Sequence, residues 1–397
     1  MSTKQAFELR RVVDLPPYVF ATTDTLKLEL RRAGEDVIDL GFGNPDLPSH
    51  PLAVEKLKEA AENERNHRYS QSRGIPNLRK AICGIYQRKF GVELDYETQA
   101  INTIGAKEGL AHLMWVLLGP GDAAVAPCPS YPIHRFAPKF AGAEVFDMPM
   151  SEDVDLFESM TETFRNARPR PRVILFSFPH NPTAITVERE FMEKAVAFAR
   201  EQEVVLVHDF AYADLAFDGY KPPSLLEIEG GSEVGVELYT LTKSFSMAGW
   251  RVGFVLGNAD IIQGLARLKS YLDYGTFQPI QIAATVVMNE HPFYPREVSA
   301  IYESRRNALC DGLNRIGWEI AKPRGSMFVW AKIPEPYRKL GSMEFAIKLM
   351  KEAKVAVNPG IGFGPGGDEH VRFALIENEQ RIAQGVRGIR RALAELG

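Results

Sequence analysis

Cysteine is scarce in this sequence. Cys83, Cys128 and Cys310 are scattered, odd in number and form no CxxC pair. That argues against both a disulfide framework and a zinc knuckle, and favours reduced, partly buried thiols in a cytosolic protein. Long apolar runs are also lacking. Stretches such as Leu113–Leu118 and Val204–Val207 fall well short of the ~20 residues that span a bilayer. The segment Met1–Leu15 is charged and has no apolar stretch of the kind a signal peptide needs. Nor is there an excess of one charge: 47 Lys and Arg against 51 Asp and Glu give a formal net charge of -4. Such a field is too weak to suggest nucleic acid or an acidic membrane as partner. Walker A, HExxH and strand–turn–helix GxSxG motifs are missing, as are fixed-period repeats and low-complexity tracts. The expectation is a soluble, cytoplasmic protein with no metal site, no membrane and no nucleic acid among its partners.

What is present is an ordinary globular composition, 45% apolar and 25% charged, over 397 residues, enough for two domains. The middle of the chain alternates short apolar runs with longer amphipathic stretches. Ala100–Ile104, Ala123–Ala126, Val173–Ser177, Val204–His208, Glu237–Thr240 and Gly253–Leu256 read as buried strands. Lys107–Leu118, Pro132–Phe140, Val187–Glu201 and Asp260–Tyr271 carry helical spacing. This alternation predicts an α/β fold, a large domain with a mainly parallel central sheet flanked by helices. Ligands of such sheets bind outside the carboxyl ends of the strands.

The last hundred residues read as a smaller α+β domain. A long helical stretch, Phe293–Ile316, precedes Trp318–Ile320 and Met327–Lys332; a helix over Met343–Lys354, strands near Val355–Val357 and Val371–Leu375, and a final helix from Glu379 follow. The domain division expected is 1–49 as an N-terminal segment packing with the small domain, 50–290 as the large ligand-binding domain, and 291–397 as the small C-terminal domain.

Several short segments carry candidate chemistry. Thr240-Leu241-Thr242-Lys243 places a lysine among hydroxyls and apolar residues just after a strand, where an amine can lose its proton and act as a nucleophile. In isolation it reads first as a solvated loop lysine. Arg251, eight residues on and flanked by glycines, suits a bidentate phosphate contact or a structural salt bridge. Asp209 ends a buried-type strand; its carboxylate can keep a pyridine nitrogen protonated, or can cap the next helix. Tyr212, three residues later, could donate to a phenolate oxygen on the same ring. Gly105, Ala106 and Lys107 join a strand to a helix start, a ready anion site or merely a strand end. Tyr131 could stack on a planar ring and Asn181 could donate to a ring oxygen, although both also read as turn residues. Arg372 alternates against Val371, Phe373 and Leu375, so it faces the other way and needs an anion, either an acidic neighbour or a substrate carboxylate. Gly362–Gly367 formally fits GxGxxG, but it contains Pro365 and leads into a strand, so it is set aside as accidental.

Order and spacing of these pieces resemble the class I/II aminotransferases of the type I pyridoxal-phosphate fold. The similarity runs from Pro16-Pro17-Tyr18-Val19-Phe20 and Gly41-Phe42-Gly43-Asn44-Pro45 to Arg372–Asn378, and Lys243–Gly253 is its most specific element. Tyr69–Pro76 and Ser270–Phe277 resemble the bacterial alanine (glutamate–pyruvate) transaminases in particular. The resemblance implies pyridoxal 5'-phosphate as cofactor and ping-pong exchange between an L-amino acid and a 2-oxo acid. Lys243 would carry the cofactor and shuttle the Cα proton. Asp209 would pair with the pyridinium nitrogen, Tyr212 and Asn181 with the ring oxygen, and Tyr131 would stack on the ring. Arg251, Thr240 and the backbone of Gly105, Ala106 and Lys107 would hold the phosphate. Tyr69 would reach the phosphate of the neighbouring subunit of a homodimer with shared active sites. Arg372 would clamp the substrate carboxylate, with Asn181, the backbone of Gly43 and Tyr18 completing the substrate site. Departures are few: Thr240 and Thr242 stand where serines are usual, Ala106 replaces a frequent hydroxyl residue, and Ala184 stands where glycine is common. Aspartate, diaminopimelate or aromatic substrates, a β-lyase reaction on the same cofactor, and a catalytically silent binding module are the rival readings.

Overall fold

The computed structural model describes residue 15 and residues 20–393. Its strands, in chain order, are β1 (Ile38–Asp39), β2 (Ala100–Ile104), β3 (Ala123–Cys128), β4 (Glu144–Pro149), β5 (Val173–Phe176), β6 (Val205–Asp209), β7 (Gly235–Thr240), β8 (Val252–Gly257), β9 (Phe328–Lys332), β10 (Val355–Ala356), β11 (Asn358–Pro359) and β12 (His370–Ala374). Seven of them form one sheet in the order β2-β8-β7-β6-β5-β3-β4. The β3–β4, β3–β5, β5–β6 and β6–β7 pairings are parallel, and β8 runs antiparallel to both neighbours. The reason for the reversal is local. Between β7 and β8 the chain makes only a four-residue helical turn, Leu241–Ser244, too short for the crossover that a parallel return requires.

Sequence pattern explains the burial of the inner strands. Val173-Ile174-Leu175-Phe176 and Val252–Gly257 are buried throughout, as strands covered on both faces by helices must be. Edge strand β4 was not anticipated; Glu144-Val145-Phe146-Asp147-Met148-Pro149 is broken by two charges and is largely part-exposed, so it lacks both the continuous apolar run and a clean alternation. The anticipated helices form over Ala106–Leu117, Pro132–Phe140, Arg189–Gln202 and Ala259–Leu272.

Beyond the large sheet, β11-β12-β9 make an antiparallel sheet and β1 pairs in parallel with β10. Ile38 and Leu40 share one apolar cluster with Phe328, Val355, Phe373 and Ile389, so the segment after the first helix, Phe20–Arg32, is built into the C-terminal part. One expectation there is corrected. The single helix over Met343–Lys354 is an α-helix, Gly341–Lys348, that widens into a π-turn, Leu349–Ala353, and stops at Lys354 in left-handed conformation. Ahead of β9, buried Trp318 donates from Nε1 to the Lys332 carbonyl at 2.8 Å. No helix among the described residues is long and apolar enough to cross a membrane.

A buried polar knot fastens β6 to β7 just behind their carboxyl ends. Glu237, with no exposed surface, receives hydrogen bonds from Tyr86 at 2.6 Å, Ser224 Oγ at 2.7 Å and the Leu225 N–H at 2.7 Å, and lies 2.8 Å from His208 Nδ1. Removing the carboxylate would strip the buried Tyr86, Ser224 and Leu225 donors of their acceptor. Glu237→Leu is therefore expected to lower stability by about 3–5 kcal/mol, read from the midpoint of a urea unfolding curve.

Candidate active site

The carboxyl ends of β2, β6 and β7 open on one cavity of about 410 Å³. At one corner the helix Ala106–Leu117 begins. First-turn N–H groups have no partner within a helix, and here no side chain caps them, so the backbone of Ala106 and Lys107 presents a positive end to the cavity. Gly105 sits at φ +78°, and a Cβ there would fall 2.1 Å from Arg251 Nη2. Only glycine lets the guanidinium lie flat against this turn. Gly253 is equally confined, since its Cβ would come within 2.6 Å of the Ala106 nitrogen. Arg251 itself is held at φ +58° and donates from Nη1 to the Ala248 carbonyl at 2.9 Å. The Thr240 hydroxyl, 3.1 Å from the Val252 carbonyl and 2.9 Å from the Thr242 hydroxyl, completes the corner. The arrangement suits a dianion.

Asp209, at the end of β6, is nearly buried. Its Oδ2 lies 2.8 Å from His134 Nε2, while Oδ1 is buried with no hydrogen-bond partner. An unsatisfied buried carboxylate oxygen facing a cavity calls for a donor from a ligand. Tyr212 and Asn181 stand beside it, joined by a 3.4 Å bond from Asn181 Nδ2 to the tyrosine hydroxyl. Burial raises the Tyr212 hydroxyl pKa, and the Asp209 charge adds to that effect; the same two causes raise that of Tyr131. Both phenols stay protonated and can donate.

Lys243 lies in the helical turn that follows β7, and its Nζ donates to the Gly43 carbonyl at 3.0 Å. Desolvation, followed by the positive charges of Arg372 and Arg251, brings its pKa down to about 7. A large fraction of this amine is therefore neutral and nucleophilic near neutral pH. Arg372, on β12, donates from Nη1 to Asn181 Oδ1 at 2.8 Å and from Nη2 to the Gly41 carbonyl at 3.3 Å. Its guanidinium carbon is 3.9 Å from the Phe328 ring centre and 4.6 Å from that of Phe363, so two aromatic rings fix its plane.

Of the anticipated residues, Lys243, Asp209, Tyr212, Asn181, Tyr131, Thr240, Arg251, Ala106, Lys107, Gly43 and Arg372 all line this cavity, and Gly105 backs Arg251. Tyr69 does not line it; it is 83% exposed and stacked on Tyr274 at 4.4 Å. Tyr18 lies outside the described residues. Arg73, weighed as a partner for a distal carboxylate, points instead at the Glu97 carbonyl. The helix-cap alternative for Asp209 is also corrected, because turns and no helix follow it. Sequence reasoning missed His134, although it lies three residues after Tyr131 on the helix entering the site. It also missed Phe328 and Phe363; the latter belongs to the glycine-rich run set aside as accidental. Ala184 adopts φ +58°, which accounts for the usual preference for glycine there.

The set fits the cofactor implied by the resemblance: an anion corner for a phosphate, an unsatisfied carboxylate oxygen for a protonated ring nitrogen, two phenols, and a desolvated amine for a carbonyl carbon. In the ligand-free protein, labelling of Lys243 by an amine-specific reagent is expected to rise with pH through a midpoint near 7. Arg372→Leu removes a like charge, which favours the ammonium form and moves that midpoint upward. Mass spectrometry of the labelled peptide across pH reads both.

The family model for aminotransferase class I and II matches residues 35–389. Glutamate-pyruvate aminotransferase AlaC of Escherichia coli K12 is 51% identical over 388 residues, covering 98% of this chain and 94% of the relative. An LL-diaminopimelate aminotransferase of Syntrophobacter fumaroxidans is 40% identical, covering 95% of this chain and 96% of the relative. Among solved structures, substrate-bound BacF of Bacillus subtilis superposes with a TM-score of 0.90 at 35% identity, covering 98% of each chain. Matched in sequence and fold along nearly its whole length, the chain belongs to the class I and II aminotransferases.

Proposed function

We propose that the protein is a pyridoxal-phosphate-dependent alanine transaminase, exchanging an amino group between alanine or glutamate and the 2-oxo acids pyruvate or 2-oxoglutarate by ping-pong chemistry. It would act in the cytoplasm as a homodimer, with residues 50–290 forming the cofactor domain and 291–397 the smaller one, which residues 1–49 join. The observation that carries the reading is a desolvated Lys243 amine sharing one cavity with the open Asp209 oxygen and with Arg372.

Each residue has a distinct task. Bound in the cavity, the cofactor would supply an electron sink for the charge that develops at the substrate Cα. Arg251, Thr240 and the backbone of Gly105, Ala106 and Lys107 hold its phosphate. Asp209, braced by His134, keeps the ring nitrogen protonated, because an opposite charge favours the charged form. Tyr212 and Asn181 donate to the ring oxygen, and Tyr131 packs against the ring. Arg372 grips the substrate carboxylate in a plane set by Phe328 and Phe363, with Asn181, the backbone of Gly43 and Tyr18 beside it. Lys243 Nζ, neutral once it has lost its proton, would take the Cα proton and hold it for return. Tyr69, on an exposed aromatic surface with Tyr274, is assigned to the phosphate of the adjoining subunit.

Alanine as donor is supported by the 51% identity to the glutamate-pyruvate enzyme. Among the described residues, Arg251 and Arg372 are the arginines that line the cavity. Phe20, Phe42, Pro45, Ile133 and Phe363 add apolar wall, which suits a small side chain. The 40% identity to a diaminopimelate enzyme supports diaminopimelate as the rival donor.

Purified protein with added cofactor should show visible absorbance that alanine bleaches in a half-reaction and pyruvate restores. Lys243→Ala is expected to abolish turnover and that absorbance, and full activity in this variant would refute the reading. Arg372→Leu should lower kcat/KM by roughly 10- to 100-fold, the loss of charged hydrogen bonds worth about 1.5–3 kcal/mol. A screen of donors against both oxo acids, with diaminopimelate and cysteine included, separates the two donors and detects any lyase reaction that proceeds without an acceptor.

A further inference from the structure

The carbonyl groups that meet the two reactive cations belong to one short loop. Gly43 accepts from Lys243 and Gly41 accepts from Arg372. The loop has little room for side chains at these points: a Cβ on Gly43 would lie 3.1 Å from the Phe328 ring and 3.2 Å from Arg372 Nη2, and one on Gly41 would lie 3.2 Å from Asn358 Oδ1. Both of its ends are held by carboxylates. At the far end Asp46 is held by Arg305 through two bonds of 2.7 and 2.8 Å. At the near end Asp39 folds the chain back by accepting from the Gly41 N–H at 3.0 Å and the Phe42 N–H at 3.2 Å through Oδ1.

The second oxygen of Asp39 reaches out of the loop. Asp39 Oδ2 meets Lys27 Nζ at 2.8 Å, with Arg31 at 3.9 Å, and the two side chains of the closer pair are only 13% and 14% exposed. Lys27 lies on the helix Phe20–Arg32, and it also bonds Asp24 at 3.0 Å. That helix lends Phe20 and Asp24 to the cavity wall, and Phe20 packs 5.1 Å from Phe363, one of the rings over Arg372. Burial by itself would lower the Lys27 pKa and raise that of Asp39. Hydrogen bonding and charge between the two outweigh burial, so Lys27 is raised, Asp39 is lowered and the pair stays ionised.

We propose that Lys27 and Asp39 are positioning residues: their ion pair sets the Gly41–Gly43 loop and thereby the Arg372 carboxylate clamp, coupling the cavity-wall helix to substrate binding. The proposal rests on the transaminase reading for its kinetic consequence, but not for its binding consequence. Neither side chain touches the reacting atoms, so the signature is a loss of affinity for carboxylates with the chemical step little changed.

The test compares Lys27→Met, Lys27→Arg and Asp39→Asn with the unmodified cofactor-loaded protein. Two quantities are read: the KM and kcat for alanine and pyruvate, and the affinity for propionate, a carboxylate that cannot react, by titration calorimetry. Lys27→Met is expected to raise both KM values and weaken propionate binding by on the order of tenfold, within the range that a small misplacement of a binding group produces, while kcat changes much less. Lys27→Arg, which keeps the charge, should recover most of the lost affinity, and Asp39→Asn, which keeps the turn acceptor but loses the charge, should behave like Lys27→Met. Unchanged KM and propionate affinity in Lys27→Met, or a fall in kcat alone, would overturn the proposal. If Lys27→Met melts early, Asp39→Asn carries the same comparison. Failure of the unmodified protein to transaminate would refute the function above, and propionate affinity, which requires no reaction, would still decide the role of the pair.

Discussion

Near neutral pH a lysine amine is useful as a nucleophile only if it is kept from water and set beside positive charge, and the architecture around Lys243 answers to that demand. Two guanidinium groups share its cavity, and together with burial they bring the amine to a pKa of about 7. Two guanidinium charges, and the amine whenever it is protonated, repel one another in so small a volume, so each has to be fixed by the surrounding chain. Arg251 is pressed on the Gly105 turn, Arg372 is held between two rings and two oxygen acceptors, and Lys243 is tethered in a single helical turn with its Nζ on a backbone carbonyl. Repulsion that would be relieved by motion in a loose loop is retained here as readiness to bind an anionic ligand.

The sheet supplies the frame for that repulsion. Parallel strands β5, β6 and β7 aim their carboxyl ends at one place, and the buried Glu237 knot ties β6 to β7 directly behind Asp209 and Thr240. The reversal of β8 brings Gly253 against the start of the Ala106–Leu117 helix, which a parallel return would not do. Asp209 is oriented from one side by His134, leaving its other oxygen for the cavity. The cavity thus offers an open carboxylate oxygen as well as an anion corner, which suits a ring that carries a phosphate and a basic nitrogen.

Elements from both ends of the chain finish the site. Arg372 comes from a small antiparallel sheet, the Gly41–Gly43 loop from the segment after β1, and the wall from the Phe20–Arg32 helix. The site consequently depends on contacts between segments more than three hundred residues apart, such as Gly41 with Arg372. Ion pairs lie at the two ends of that loop, Lys27–Asp39 and Arg305–Asp46, while glycines flank Phe42 where its backbone meets the two cations.

By itself, the sequence determined the elements whose signal is local: the buried runs of β5 and β6, the helices that follow them, and the strand-end placement of Asp209 and Lys243. These depend on periodicity and on residue type within a few positions, which a linear reading can follow. It also made Arg372 face away from the apolar side of its strand. Tertiary structure alone decided what those residues meet. The reversal of β8 followed from the shortness of the connection in space, and edge strand β4 from pairing in place of an apolar pattern. His134 became the brace of Asp209, and Phe363, from a run that looked like an accident of composition, became one of the rings against Arg372. Such roles arise from approach between distant segments, where distance and desolvation set the energy and neither is written in the neighbouring residues.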